Sequence, residues 1–197
     1  IAGERLAVTD ATPGTTRDRL VAEAEWGGVS FEVVDTGGID PSSLRRGPPL
    51  SVGSADYVPQ IRSQAEQAAR EADAVLFLVD AEAGVTPADQ EVAGILRRTQ
   101  GTRGGKPWPP ILLVVNKCDN EARRRSVPEF YELGMGDPLP VSALHGTGTG
   151  DLLDALIAAL GPARRAAEEA EPAARIAIVG RPNVGKSSLL NRLLGEE

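Results

Sequence analysis

Aromatic side chains make up only 4% of this 197-residue chain, and cysteine, histidine and methionine occur once each. A single cysteine, Cys118, excludes an internal disulfide and suits a reducing compartment, so the cytoplasm is the expected location. One cysteine and one histidine also leave no Cys/His cluster for zinc. His145 reads as an incidental surface group, and Trp26 and Trp108 as packing or surface groups. No apolar run approaches the roughly 18 residues that would span a bilayer, so no membrane association is expected. Positive charge is in deficit: 21 Lys and Arg face 28 Asp and Glu, for a formal net charge of −7. Such a balance argues against nucleic-acid binding through the overall field of the chain. It does not exclude a nucleotide, which needs only a local site. The first residue is Ile1, there is no signal-peptide pattern, and the sequence reads as a piece of a longer protein.

What is present is a globular composition, 41% hydrophobic and 25% charged. Short β-branched runs recur at Phe31 to Thr36, Ala74 to Asp80, Ile111 to Asn116 and Arg175 to Gly180. They are nearly continuous in apolar character, as strands buried on both faces of a parallel sheet are. Leu20 to Trp26 alternates and suits an outer strand, and Leu139 to Ser142 suits a short last one. Helical patterns lie at Val58 to Ala72, Thr86 to Arg98 and Asp151 to Leu160. Alternation of the two predicts an α/β fold, a mostly parallel sheet flanked by helices. Pro41 to Pro59 and Gln100 to Pro110 read as loops, Gly161 to Ala174 as a linker, and Arg123 to Arg125 as a solvated face.

The sharpest motif is Gly180-Arg181-Pro182-Asn183-Val184-Gly185-Lys186-Ser187, a G-x-x-x-x-G-K-[ST] phosphate loop between a strand and a helix of about Gly185 to Leu194. Its glycines let backbone N–H groups converge on phosphate oxygens, and the helix N-terminus adds positive potential. Lys186 reaches the β and γ phosphates, and the Ser187 hydroxyl binds Mg²⁺. Asn183, Val184 and Ser188 complete the expected phosphate-binding set. A second motif, Asn116-Lys117-Cys118-Asp119, ends a strand at the edge where α/β sheets bind ligands. A carboxylate such as Asp119 accepts two N–H bonds from a guanine edge, which adenine cannot supply. Asp35-Thr36-Gly37-Gly38 follows another strand. Asp35 is expected to act on Mg²⁺ through water, and the Gly38 N–H to contact a γ-phosphate and move when it leaves. Thr16, in Pro13 to Asp18, is a second hydroxyl for Mg²⁺, and Ser142-Ala143 offers backbone N–H to a base.

Taken together these motifs resemble a translation-factor-type GTPase domain of the P-loop NTPase class. Their wording is closest to the EngA/Der family of tandem-GTPase ribosome-assembly factors. DATPGTTRDR, DTGGID, GVTPADQEVAGILRR, NKCDN, EFYELGMGDPLPVSALHGTGTGDLLDAL and RIAIVGRPNVGKSSLLNRLLGEE carry the resemblance over nearly the whole chain. It implies that residues 1–160 are a first GTPase domain without its own P-loop strand and helix. Residues 161–174 are then a linker, and 175–197 the P-loop strand and helix of a second domain. It further implies GTP and GDP as ligands, Mg²⁺ as cofactor and the large ribosomal subunit as the partner of the full-length family. Direct nucleic-acid binding is not expected of this piece.

Losing the P-loop strand would leave a gap with two unpaired strand edges. The linker could extend to roughly 45 Å against a radius of gyration of about 16 Å. The C-terminal strand is therefore expected to dock back into the vacant place, as a circularly permuted fold, with a swapped dimer or an open fragment as the rivals. If the site assembles, Lys186, Gly38 and Asn183 are the expected catalytic groups. Asn116, Lys117, Asp119, Ser142 and Ala143 would hold the base, and Ser187, Thr16 and Asp35 the metal. Ile39 stands where some GTPases have a water-orienting Gln, so hydrolysis should be slow. Relatives with that replacement and a P-loop Asn often use K⁺, which makes Asn183 a candidate K⁺ ligand. A nucleotide-binding switch without significant hydrolysis and an inactive piece are the alternatives.

Overall fold

The computed structural model describes residues 20–35, 66–67, 70–161 and 174–195. Thr16, Gly38, both loops around them and most of the linker lie outside these residues. Of the helix expected over 58–72, residues 66–67 and 70–72 are described; 66–67 and 70–71 are helical and Ala72 is not.

Eight strands form among the described residues: β1 (Leu20–Trp26), β2 (Val29–Asp35), β3 (Ala74–Asp80), β4 (Gly101–Arg103), β5 (Lys106–Trp108), β6 (Ile111–Asn116), β7 (Leu139–Pro140) and β8 (Ala174–Val179). The α-helices with both ends among the described residues are α1 (Pro87–Thr99), α2 (Glu121–Ser126), α3 (Thr149–Leu160) and α4 (Lys186–Leu194), with a 3₁₀ segment at Val127–Leu133. The main sheet has the order β1-β2-β8-β3-β6-β7. Within this sheet the β1–β2 hairpin pairing is antiparallel, and β2–β8, β8–β3, β3–β6 and β6–β7 are parallel. The C-terminal strand thus occupies the central position, between two strands from the first half of the chain.

Burial explains why it belongs there. Ala174, Ile176, Ile178 and Val179 are at most 1% exposed, which a strand achieves only with neighbours on both edges and layers on both faces. The period of two along β3 sorts its side chains. Leu76 and Leu78 face a layer made by Leu152, Leu156, Ile157 of α3 and Leu189, Leu190, Leu193 of α4. Val75, Phe77 and Val79 face Val92, Ile95 and Leu96 of α1 and Phe130 and Leu133 of the 3₁₀ segment. Because β8 closes the sheet within one chain, light scattering is expected to return the mass of a monomer. A dimer persisting at low protein concentration would mean that the strand fills a neighbour's gap instead.

One sequence expectation needs correction. Gln100 to Pro110 is not an irregular loop: Gly101–Arg103 and Lys106–Trp108 pair as an antiparallel hairpin. Gly104 and Gly105 form its turn with φ of 59° and 77°, the type I′ geometry that a Gly-Gly pair supplies.

Candidate functional site

Every parallel strand delivers its last residue to the same edge of the sheet. Asp35 ends β2, Asp80 ends β3, Asn116 ends β6, and the P-loop follows β8. Three of these are buried polar side chains: Asp35 is 1% exposed, Asn116 3% and Asp80 5%. A polar group out of water needs partners, and theirs define the site.

Ser187, in the first turn of α4, donates its hydroxyl to Asp35 Oδ2 at 2.9 Å. The two are hard oxygen donors, the type that Mg²⁺ selects, so the pair fits that ion. The direct bond is compatible with the expectation that Asp35 acts on Mg²⁺ through water while Ser187 binds it. Lys186 donates Nζ to the carbonyls of Gly180 and Arg181, both at 3.0 Å. Its ammonium is buried, and that desolvation, the main cause, pulls its pKa below the ordinary lysine value. Arg181 adds to the lowering, and Asp35 opposes it.

Asn116 ties the phosphate side to the base side. Its Nδ2 donates to the Val184 carbonyl at 2.8 Å, and its Oδ1 accepts from the Ala143 N–H at 2.9 Å. With both ends of its amide engaged, it is placed to clamp two loops. The sequence motif also assigns it, with Asp119, to the selection of guanine. Asp119 accepts from Ser142 Oγ at 2.6 Å on Oδ1 and from Arg123 Nη1 at 3.0 Å on Oδ2. A carboxylate has about four acceptor sites, so two remain for incoming N–H groups. The Ser142 hydroxyl also accepts from the His145 N–H at 3.1 Å. Among the described residues, the non-glycine positions with positive φ are Lys117 and Asn183, each at 65°. Both lie inside the two nucleotide motifs, where held strain concentrates.

Several participants were not read from the sequence. Asp80 is a hub: Oδ1 accepts from the Glu82 N–H at 2.9 Å and Oδ2 from Lys117 Nζ at 2.7 Å. Arg181, a variable position of the P-loop, lies 3.7 Å from Asp80 Oδ2 and 3.5 Å from Asp89 Oδ1. Asp89 is fully buried. Burial raises its pKa, while hydrogen bonds from Thr86 and the Arg181 charge pull the other way. Arg123 departs from the solvated face expected for it, since it bridges Asp119 to Glu82 at 3.0 and 2.8 Å. Local spacing does not announce Asp80 with Lys117, Arg181 with Asp80 and Asp89, or Arg123 with Glu82, because these partners come from separate elements.

Arg192, near the end of α4, donates Nε to the Ala143 carbonyl at 3.1 Å and Nη2 to the Leu144 carbonyl at 2.7 Å. The P-loop helix therefore holds the base loop from behind. Arg192→Ala is expected to speed amide hydrogen exchange over residues 142–146 by roughly tenfold or more, since a charge-assisted hydrogen bond contributes about 1.5–3 kcal/mol. Unchanged exchange there would show that the loop stands without it.

Comparison with known proteins agrees with this geometry. A family model described as 50S ribosome-binding GTPase matches residues 1–117 and 175–197. The two matched stretches include the strands that meet at the centre of the sheet. Among curated relatives, the chain is similar to the GTPase Der of Moorella thermoacetica, at 50% identity over the whole chain and 40% of that protein. It is likewise similar to the GTPase Der of Chloroflexus aurantiacus, at 49% identity over 99% of the chain and 40% of that protein. That of Lactococcus lactis subsp. cremoris is 46% identical over the whole chain, again 40% of the relative. The chain thus spans about 40% of the length of the relatives it matches.

Proposed function

This chain belongs to the 50S ribosome-binding GTPase family, and from that premise we propose that it binds GTP and GDP and hydrolyses GTP to GDP and phosphate. In the whole protein this activity serves the assembly of the large ribosomal subunit in the cytoplasm. One observation carries the reading. The phosphate loop lies against both an acidic strand end and the N-K-x-D segment, through Ser187 to Asp35 at 2.9 Å and Asn116 to Val184 at 2.8 Å.

The roles follow from the chemistry of the groups. The amides of residues 183–188 and the Lys186 ammonium receive the phosphates. Ser187 and Thr16 would hold Mg²⁺, with Asp35 behind them; bound there, the ion supplies positive charge against the transferring phosphoryl group. Asp119 takes the N–H groups of guanine on its two spare acceptor sites. Ser142 and Ala143 line the base, and the aliphatic stem of Lys117 packs on it. The Gly38 N–H reports the γ-phosphate. Asn183, exposed at the P-loop turn, is the proposed K⁺ ligand. Among the described residues, no helix is long and apolar enough to cross a membrane.

Titration with a fluorescent GTP analogue in Mg²⁺ tests the reading. GTP and GDP are expected to displace the analogue, and ATP to fail at comparable concentration; equal displacement by ATP would overturn the assignment. Turnover in KCl is expected to exceed turnover in NaCl, and equal rates would remove the K⁺ proposal. A second reading, a switch that binds without significant hydrolysis, draws on Ile39, whose side chain has no polar atom to orient water. Single-turnover hydrolysis separates the two.

A further inference from the structure

The 27 residues between Glu91 and Asp119 contain no acidic side chain, in a chain that otherwise has one about every six. Inside that window stands the β4–β5 hairpin, outside the main sheet. Its register pairs Arg103 with Lys106 and Gly101 with Trp108. Alternation along a strand therefore puts Arg103, Lys106 and Trp108 on one face and Thr102 and Pro107 on the other. Arg103 lies over the Trp108 ring, its guanidinium carbon 4.7 Å from the centroid. Opposite Trp108 is a glycine, so the cross-strand side chain over the ring is that of Arg103, which reaches it diagonally. Arg98, Arg103 and Lys106 are exposed and have no ion pair among the described residues. The hairpin is anchored at its base, where Gln100 Nε2 donates to the Pro109 carbonyl at 2.7 Å.

We propose that this hairpin face binds single-stranded RNA, Arg103 and Lys106 taking backbone phosphates and Trp108 stacking on a base. Cations alone would suit any polyanion. An aromatic ring stacked with a guanidinium offers a π surface that a nucleobase uses and an acidic peptide does not. The overall charge of −7 repels polyanions at long range, so the affinity is local and strongly salt-dependent. The face lies at the start of β6, whereas the nucleotide site lies at its end. Six residues of strand separate them, roughly 20 Å, so both sites can be filled at once. The inference goes beyond the nucleotide reading and does not depend on it.

The test is fluorescence anisotropy of a labelled, unstructured RNA of about 15 nucleotides, from about 50 to about 200 mM KCl. Arg103→Ala with Lys106→Ala is expected to reduce the slope of log affinity against log salt by about 1.4, two phosphates on a single strand. Trp108→Ala is expected to weaken binding about 5- to 150-fold with the slope unchanged, and Trp108→Phe to recover most of the loss. Arg125→Ala, an exposed cation outside the hairpin paired with Glu121, is expected to change nothing. No binding by the parent chain at the lowest salt would overturn the proposal. So would equal loss in Arg125→Ala, or competition by polyglutamate as strong as by RNA. GDP affinity, measured on the same samples, keeps a failure here distinct from a failure of the nucleotide reading.

Discussion

Lys186→Met is expected to lower GDP affinity by at least about 100-fold while leaving the chain as heat-stable as its parent, or more so. The two effects have one cause. Lys186 is 9% exposed, and its charge rests on two carbonyls that are only partial compensation for lost water. Methionine keeps the long unbranched stem in its place and carries no charge to desolvate. The phosphates of a nucleotide are the partners that make the buried ammonium favourable, and a hydrogen bond to a charged group contributes about 1.5–3 kcal/mol. Two or more such bonds convert to the stated factor. The pH dependence follows with a definite sign. The folded pKa lies below the ordinary lysine value of 10.5, so the unfolded chain binds more protons in the interval between them. Stability of the parent should therefore rise with pH through that interval and level off above it. Lys186→Met should lack this rise. Melting curves across alkaline pH, with and without GDP, measure all of it. A variant that melts several degrees lower and still binds GDP would show that the ammonium is a structural tie and not a phosphate ligand.

The strands buried on both faces were legible almost to the residue. Ala74–Asp80 and Ile111–Asn116 are unbroken apolar runs closed by a polar residue, and no helix of that length would be so continuous. The return of the C-terminal strand was also legible, because a parallel sheet lacking its centre exposes edges that a strand elsewhere in the chain can satisfy. The hairpin at 101–108 was not, since its strands are three residues each and mostly exposed, leaving no hydrophobic pattern. Its one signal was the Gly104-Gly105 pair between short polar runs. At the site, motifs identified Ser187, Asp35, Asn116 and Asp119 because each belongs to a local string of residues. Asp80, Asp89, Arg181 and Arg192 act through partners far away in the chain. A carboxylate at the end of an apolar strand and a cation on a helix surface look ordinary until the fold pairs them. Asp89 had a partial signature, since Thr86-Pro87-Ala88-Asp89 spells a capping box, and the structure contains both of its hydrogen bonds. Its contact with the P-loop arginine had none.

Gly185→Ala and Asn116→Ala should each destabilise the chain and weaken GDP binding, and together they should do less than the sum. Gly185 has φ of 94°, a conformation costly for any L side chain, and an added Cβ would collide with Asn116 Nδ2. The methyl group therefore strikes the same amide that fastens Val184 to the base loop. Removing that amide instead leaves the Val184 carbonyl and the Ala143 N–H without their partner. At about 1–3 kcal/mol for each buried orphan, Asn116→Ala is expected to cost roughly 2–6 kcal/mol. Gly185→Ala adds a backbone penalty of about 1–2 kcal/mol to whatever part of the clamp it displaces. Only the backbone part is independent of Asn116. The double variant should fall short of additivity by about 1–2 kcal/mol, inside the range for residues in contact. Urea unfolding gives the stabilities, and the slope with denaturant must stay constant for the comparison to hold. GDP affinity is expected to fall about tenfold or more in either single variant, because the phosphate loop and the base loop lose their common tie. Additivity within about 0.5 kcal/mol would mean that Gly185 and Asn116 act separately. The clamp would then not be what couples the two halves of the site, and the C-terminal P-loop would be held in register by its strand alone.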